Sequence, residues 1–518
     1  MIKKCALAMG LVAGLSISMA ATAESPEQWY ADGQATLKAA LAMQPNTRRA
    51  KNVILFVGDG MGISTVTATR IFDGQSRGET GEENRLAWEQ LPYVALSKTY
   101  NTNLQTPDSA GTMSAMMTGV KTDYGVISVN QHVQKGNCNS SKGNAVVTLL
   151  EQAEDAGLAT GIVSTARITH ATPAATYAHA ASRDWESDAD LPAAAKAQGC
   201  KDIASQLMDF SHGDGVDVVL GGGRRNFLPV QSVDPEYPDQ TGVRTDGRDL
   251  IAQWLRTKGS AFVWSGEQLS DLVSQGKTSK ILGLFSPSHM AFDADRMSEP
   301  HVEPSLGDMT EAAIGVLQQR GAGYFLMVEA GRIDLAHHAG NAARALAEGQ
   351  ALNEAVARAL AMVDLNETLV IVTADHSHVF TIGGNHAVRG NPVLGFVYEP
   401  NADGRPRTEP TLAKDGRPYT VLGYNNGKGF AARKGLAERW AQAPTAGRHV
   451  TVKTDTTQLN YHQESLVPLD YETHAAEDVA IYAGGPWAHL FHQTHEQNYI
   501  YHVMRHALGL DSQAVNKR

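Results

Sequence analysis

Val53-Ile-Leu-Phe-Val57 is an unbroken apolar run that opens directly into Gly58-Asp59-Gly60. Two more runs have the same form. Tyr324-Phe-Leu-Met-Val328 leads into Glu329, Asp334 and His338, and Leu369-Val-Ile-Val-Thr373 leads into Asp375 and His376. An apolar run of this length between turn residues fits a strand buried on both faces, the habit of parallel sheets. In open α/β sheets, ligands collect beyond the carboxyl ends of such strands, above all where strand order reverses. Residues far apart in the chain can therefore meet on one rim. The carboxylates and imidazoles gathered there suit Zn²⁺ in one place and Mg²⁺ in another.

Further strand-like runs occur at Ala159–Val163, Val216–Leu220 and Val479–Tyr482, with helical patterns at Arg344–Met362 and Gln497–Leu508. Strands alternating with helices over this length predict an α/β fold, with a central, largely parallel sheet flanked by helices on both faces. Residues 24–518 read as one large catalytic domain. An amphipathic helical arm spans about 26–44, ahead of the breaker Gln44-Pro-Asn-Thr, and suits contact with a partner subunit. Residues from about 383 to 468 are rich in Gly, Asn, Pro and Arg with weak periodicity, and read as an inserted irregular subdomain.

The first residues, Met1-Ile2-Lys3-Lys4, precede an apolar stretch and then Ala-Ala-Thr-Ala23, the pattern of a secretory signal peptide cleaved after Ala23. That stretch is short of a membrane span, and no later segment is long and apolar enough for one. A periplasmic or secreted location follows. The remaining cysteines, Cys138 and Cys200, form an even pair in an oxidising compartment, where a disulfide is the simplest reading. A net charge of −11 disfavours nucleic acid as a partner, but leaves a small anionic substrate open, because bound cations can reverse the local field.

Thr106-Pro-Asp-Ser-Ala-Gly-Thr112 precedes a short helical segment around Met113–Met117. It predicts a helix N-terminus with Ser109 where amide groups face an anion. Taken alone, an ordinary cap explains Asp108-Ser109 better. Asp334 and His338 are four apart, so one helical turn brings both toward one ion. Asp375 and His376 sit together at a strand end. Asp59 and Glu329 offer only oxygen, and with the Thr172 hydroxyl they suit the octahedral shell of Mg²⁺. Arg183 has a planar fork suited to bidentate contact with phosphate.

Taken in order, Gly58-Asp-Gly-Met-Gly62, Thr106–Thr112, His170-Ala-Thr-Pro-Ala174, Val328–Asp334, Thr373-Ala-Asp-His-Ser-His378 and Glu472-Thr-His474 closely resemble the alkaline phosphatases, nearer to the marine bacterial and animal-type branch. The resemblance runs from about residue 26 to 508. It implies a secreted enzyme that hydrolyses phosphate monoesters through a phosphoserine at Ser109, with Arg183 on the phosphate. It also implies two Zn²⁺, one held by Asp334, His338 and His474, the other by Asp59, Asp375 and His376. One Mg²⁺ would lie on Asp59, Glu329 and Thr172. A Cys138–Cys200 disulfide, a homodimer, broad monoester specificity and an alkaline optimum follow from the same resemblance.

Three positions depart from the family pattern. Leu335 follows Asp334 where relatives carry a residue that contacts phosphate, and leucine cannot hydrogen-bond. His170 stands beside the magnesium shell where the enteric branch has Asp. Glu236, the Phe285 carbonyl and Glu303 match a calcium site of animal-type relatives, but Ser286 replaces an acidic ligand, which argues against Ca²⁺. A sulfatase would need a Cys/Ser-x-Pro-x-Arg context that Ser109 lacks. A phosphodiesterase of the superfamily usually has a Thr nucleophile and lacks this Arg. The intact Ser109 and ligand set argue against a non-catalytic phosphate- or metal-binding protein.

Overall fold

The computed structural model describes residues 25–276, 278–429, 448 and 450–511. The expected leader therefore lies outside the described residues, as does part of the 383–468 segment. The chain divides into two compact units, residues 1–44 and residues 45–518. In the first, a helix spans Pro26–Ala42. It is capped by the Ser25 hydroxyl, which accepts from Gln28 N at 3.1 Å, and proline occupies its first turn. None of its residues is buried, and Trp29, Tyr30, Leu37 and Leu41 are exposed.

The second unit is built on a ten-stranded sheet. Its strands are β1 (Asn52–Gly58), β2 (Tyr93–Lys98), β3 (Ala159–Arg167), β4 (Val218–Gly222), β5 (Ser260–Val263), β6 (Lys280–Leu284), β7 (Tyr324–Ala330) and β8 (Thr368–Ala374), with β14 (Val479–Gly484) and β15 (Thr494–Glu496). Their order is β15-β2-β14-β8-β1-β7-β3-β4-β6-β5. Only β14 runs antiparallel to its neighbours, β2 and β8. The three apolar runs of the sequence are thus adjacent central strands. Gly58 pairs with Ala330 on one side and Ala374 on the other, so the carboxyl ends of β1, β7 and β8 finish level.

Burial on both faces explains the unbroken apolar runs. Val53, Leu55 and Val57 pack on one side with the helices Ser109–Thr118, Leu149–Asp155 and Tyr499–Ala507. Ile54 and Phe56 pack on the other, with Leu306–Gln319 and Ala342–Met362. The Val216–Leu220 run enters its strand two residues later than its apolar pattern predicts, at Val218. Asp217 instead turns its carboxylate to Thr160 N at 3.1 Å.

Beyond β8 the chain forms β9 (Ser377–His378), β10 (Phe380–Ile382), β11 (Leu422–Gly427), β12 (Ser465–Pro468) and β13 (His474–Ala475). The strands β10, β11 and β12 make a separate three-stranded sheet, and β9 pairs with β13. Phe380, Val393, Val397, Leu422 and Tyr424 form a second apolar cluster with Ala68, Ala342 and Leu346. Cys138 and Cys200 are joined in a disulfide across a sequence separation of 62. Among the described residues, no helix is long and apolar enough to cross a membrane.

Candidate metal centre and nucleophile

The level ends of β8, β1 and β7 bring Asp375, Asp59 and Glu329 side by side, all fully buried. Asp59, Asp375 and His376 converge: His376 Nε2 lies 3.3 Å from Asp375 Oδ2 and 3.5 Å from Asp59 Oδ1. The second Asp375 oxygen accepts from Gly60 N at 3.0 Å and His376 N at 2.9 Å, and Oδ2 takes Thr112 Oγ1 at 3.2 Å. The turn after β8 is thereby tied to the turn after β1 and to the helix Ser109–Thr118.

A second group forms one turn further on. The helix Arg332–His338 begins just after β7 and places His338 Nε2 3.2 Å from Asp334 Oδ1, as the four-residue spacing predicts. His474 joins them from β13, with its Nε2 3.3 Å from Asp334 Oδ1 and 3.0 Å from His338 Nε2. Backbone carbonyls orient both rings: Pro107 O lies 2.8 Å from His474 Nδ1, and Glu472 O 2.6 Å from His338 Nδ1. Each ring is left with Nε2 turned inward. Burial pushes the His338 and His376 pKa values below the ordinary histidine value, so both rings are neutral and carry a lone pair. Despite its burial, Asp334 is held well below the usual carboxylate range by His338, His378 and His474.

The third group consists of Asp59, Glu329 and Thr172, with His170 beside them. Burial raises both carboxyl pKa values, Asp59 well above its ordinary value and Glu329 to about 7, and neighbouring carboxylates add to the effect. Both Asp59 oxygens, Glu329 Oε1 and Thr172 Oγ1 are buried without any hydrogen-bond partner. Unpaired buried oxygens at this density cost several kcal/mol unless a cation meets them (about 1–3 kcal/mol per group). An all-oxygen donor set of this kind fits a hard divalent ion, while the mixed carboxylate and imidazole sets fit zinc.

Between these groups lies Ser109, the first residue of its helix, with Oγ 3.1 Å from His376 Nε2. Asp108 caps the helix through Gly111 N at 3.2 Å, so the Ser109 and Ala110 amides are the ones left without intrahelical partners. Arg183 reaches the same spot from a loop. Its Nη1 donates to Asp108 Oδ2 at 3.2 Å and its Nη2 to His170 Nε2 at 3.1 Å. The structure therefore brings together Ser109, Arg183, His170, Thr172 and all seven other residues singled out as ligands.

The alkaline phosphatase family matches residues 50–510. The chain belongs to the alkaline phosphatase family. Its activity is therefore metal-dependent hydrolysis of phosphate monoesters. It is 45% identical over 492 residues to the tissue-nonspecific alkaline phosphatase of Rattus norvegicus, covering 93% of this chain and 88% of that protein. It is 42% identical over 492 residues to the alkaline phosphatase of Gadus morhua, covering 93% of this chain and 97% of that one. Among solved structures, the Thermus thermophilus alkaline phosphatase matches with a TM-score of 0.62 at 25% identity, over 92% of this chain and 95% of that one. The enzyme from the Antarctic bacterium TAB5 shares the fold, with a TM-score of 0.58 at 23% identity over 90% and 100% of the two chains.

In this alkaline phosphatase, His378 and Glu472 belong to the centre although the sequence gives neither a role of its own. His378 is fully buried between Asp334 Oδ1, 2.8 Å from Nε2, and Glu472 Oε2, 2.6 Å from Nδ1. Burial opposes its charge, but the two carboxylates prevail and raise its pKa to about 10. The alternation His376-Ser-His378 was the available signal, since residues two apart on an extended chain share a face. Leu335, which departs from the family pattern, packs with Phe292, Ala336 and Ala345. At the position matched to the calcium site, the Glu236 carboxylate accepts from Arg224 Nη2 at 2.7 Å and Glu303 accepts from Ala291 N at 2.8 Å.

Proposed function

We propose that this chain is an exported alkaline phosphatase that carries the phosphoryl group on Ser109 between the alcohol it leaves and the water that receives it. The observation that carries the reading is the 3.1 Å approach of Ser109 Oγ to His376, inside the ligand set and at a helix N-terminus. Asp334, His338 and His474 would hold one Zn²⁺, Asp59, Asp375 and His376 a second, and Asp59, Glu329 and Thr172 one Mg²⁺. Such ions, when bound, lower the pKa of the nucleophile and offset charge on the attacking and leaving oxygens.

The remaining steps belong to the chain's own side chains. Ser109 Oγ forms a bond to phosphorus as the bond from phosphorus to the substrate oxygen breaks, and the proton that the serine gives up departs on the alcohol. Arg183, kept protonated by Asp108, grips the phosphoryl oxygens and holds them in line with Ser109. Water then attacks phosphorus from the side the alcohol left, the bond from phosphorus to Ser109 Oγ breaks, and one proton of that water returns to the serine. Ser109 and Arg183 both address the transferred group and not the leaving alcohol, which supports broad specificity among monoesters.

Hydrolysis of p-nitrophenyl phosphate by the wild type, by Ser109→Ala and by chelated wild type tests the reading, with mass spectrometry of acid-quenched enzyme to locate the phosphate. Phosphate on Ser109 and a loss of about 10³-fold or more in the alanine variant are expected. Full activity in that variant would remove Ser109 as the nucleophile. Export is supported by the basic, apolar and small-residue order of the leader and by the disulfide; the N-terminus of protein from the periplasm or medium should be Glu24. The exposed apolar residues of the Pro26–Ala42 helix support a homodimer, to be tested by light scattering of the full mature chain and of a chain lacking that helix.

A further inference from the structure

Asn101 is buried and lies outside every group described above. Its Nδ2 donates to Asp108 Oδ1 at 2.7 Å. Turning the amide over would set an oxygen against a carboxylate, so this orientation is forced. Asp108 Oδ1 also accepts from Gly111 N, Gly125 N donates to both oxygens of the carboxylate, each bond at 3.2 Å, and Oδ2 in addition holds Arg183. Asn101 Oδ1, by contrast, is buried with no partner. A buried amide that leaves its own acceptor unpaired adds little to stability, so its use lies with the donor.

The backbone around Asn101 is pinned to the segments that carry Arg183. Asn101 N and Leu104 O close a tight turn at 3.1 Å, Thr102 N donates to Thr122 O at 3.0 Å, and Tyr124 N donates to Asn103 Oδ1 at 2.9 Å. One residue on, Gly125 N reaches Asp108, while Gly125 O accepts from Arg183 N at 2.8 Å. Gly111 completes the fit, because a Cβ there would stand 2.5 Å from Asn101 Nδ2.

We infer that Asn101 is a positioning residue for phosphate binding: its short bond to Asp108 Oδ1 fixes the rotation of the carboxylate, and so the place at which Oδ2 holds the Arg183 guanidinium. The inference rests on the proposed role of Arg183. Inorganic phosphate inhibition and the KM for p-nitrophenyl phosphate are to be measured in the metal-replete full chain for wild type, Asn101→Ala, Arg183→Ala and the double variant. Loss of one charge-linked hydrogen bond predicts a rise of roughly three- to ten-fold in both constants for Asn101→Ala, with kcat moving less. In the Arg183→Ala background the same change should alter neither constant by more than about two-fold. An unchanged phosphate constant in Asn101→Ala, or an equal rise with and without Arg183, overturns the inference. An unchanged constant in Arg183→Ala would instead overturn the assignment of Arg183 itself. If Asn101→Ala does not fold, Asn101→Ser, which keeps a small polar side chain too short to reach Asp108, takes its place under the same criteria.

Discussion

The Glu472 carboxylate lies 2.6 Å from His378 Nδ1, on the far side of the ring from Asp334. Glu472 is fully buried, and its other oxygen accepts from Val379 N at 2.9 Å. A carboxylate, an imidazole and a second carboxylate thus stand in line, and the last of them belongs to the group Asp334, His338 and His474. Partners behind a ligand fix its orientation and basicity, and losing one typically costs about 10- to 100-fold in metal affinity. Glu472→Gln should therefore release the zinc proposed for this group to a competing chelator at a correspondingly lower chelator concentration. Unchanged zinc retention would show that the line has no bearing on the metal.

Gly60 has φ +70°, and a Cβ there would lie 2.4 Å from the His378 ring. Gly60→Ala would combine a left-handed backbone with a clash against a fully buried ring. The expected outcome is a loss of about 1–3 kcal/mol in stability together with reduced metal content. Thermal melting and metal analysis of the purified variant would check both.

Glu151 is flanked by His179 Nε2 at 2.8 Å and His212 Nε2 at 3.3 Å. Burial would raise its pKa, but the two histidines hold it at about 2, and the bond to Glu151 lifts His212 to about 9. The carboxylate's contribution is complete above its ordinary value of 4.5 and fades as pH falls toward 2. The His212 contribution is complete below 6.5 and fades as pH rises through about 9. Melting curves of wild type and Glu151→Gln should therefore be further apart near pH 6 than near pH 10. A gap independent of pH would contradict this pairing.

The Cys138–Cys200 disulfide spans 62 residues of sequence, a loop for which chain-entropy arguments give about 4 kcal/mol. The double Cys→Ser variant should melt well below the wild type yet keep its activity at room temperature, because neither sulfur lies in the metal groups. Differential scanning calorimetry beside a p-nitrophenyl phosphate assay would separate the two effects.

The central strands were legible in the chain because burial on both faces leaves an unbroken apolar signature, as at Val53–Val57. Asp334 and His338 were legible because a single helical turn joins them. His474 was not, since its place depends on a two-residue pairing with His378 across a long excursion, and only family resemblance found it. Asn101 escaped as well, because an asparagine in a turn reads the same whether its amide faces solvent or a carboxylate. The 383–468 segment has little periodicity, since the short strands and tight turns of its described residues draw their order from the apolar cluster beneath them.

The short ladder between β9 and β13 has a consequence for how the molecule assembles. It fastens both ends of the excursion that holds β10, β11 and β12, and each fastening strand contributes a histidine to the centre or its support. With the proposed ligand set, ordering the described residues of the excursion and filling the Asp334, His338 and His474 group would be linked equilibria: whatever strengthens one would strengthen the other by the same free energy. Stripping the metal should speed amide exchange or proteolysis first within residues 379–429 and 450–473, while the parallel strands behind them stay protected. Because closing a longer loop adds only slowly to the entropy cost, the excursion is also free to change length, provided the clasp at its base survives.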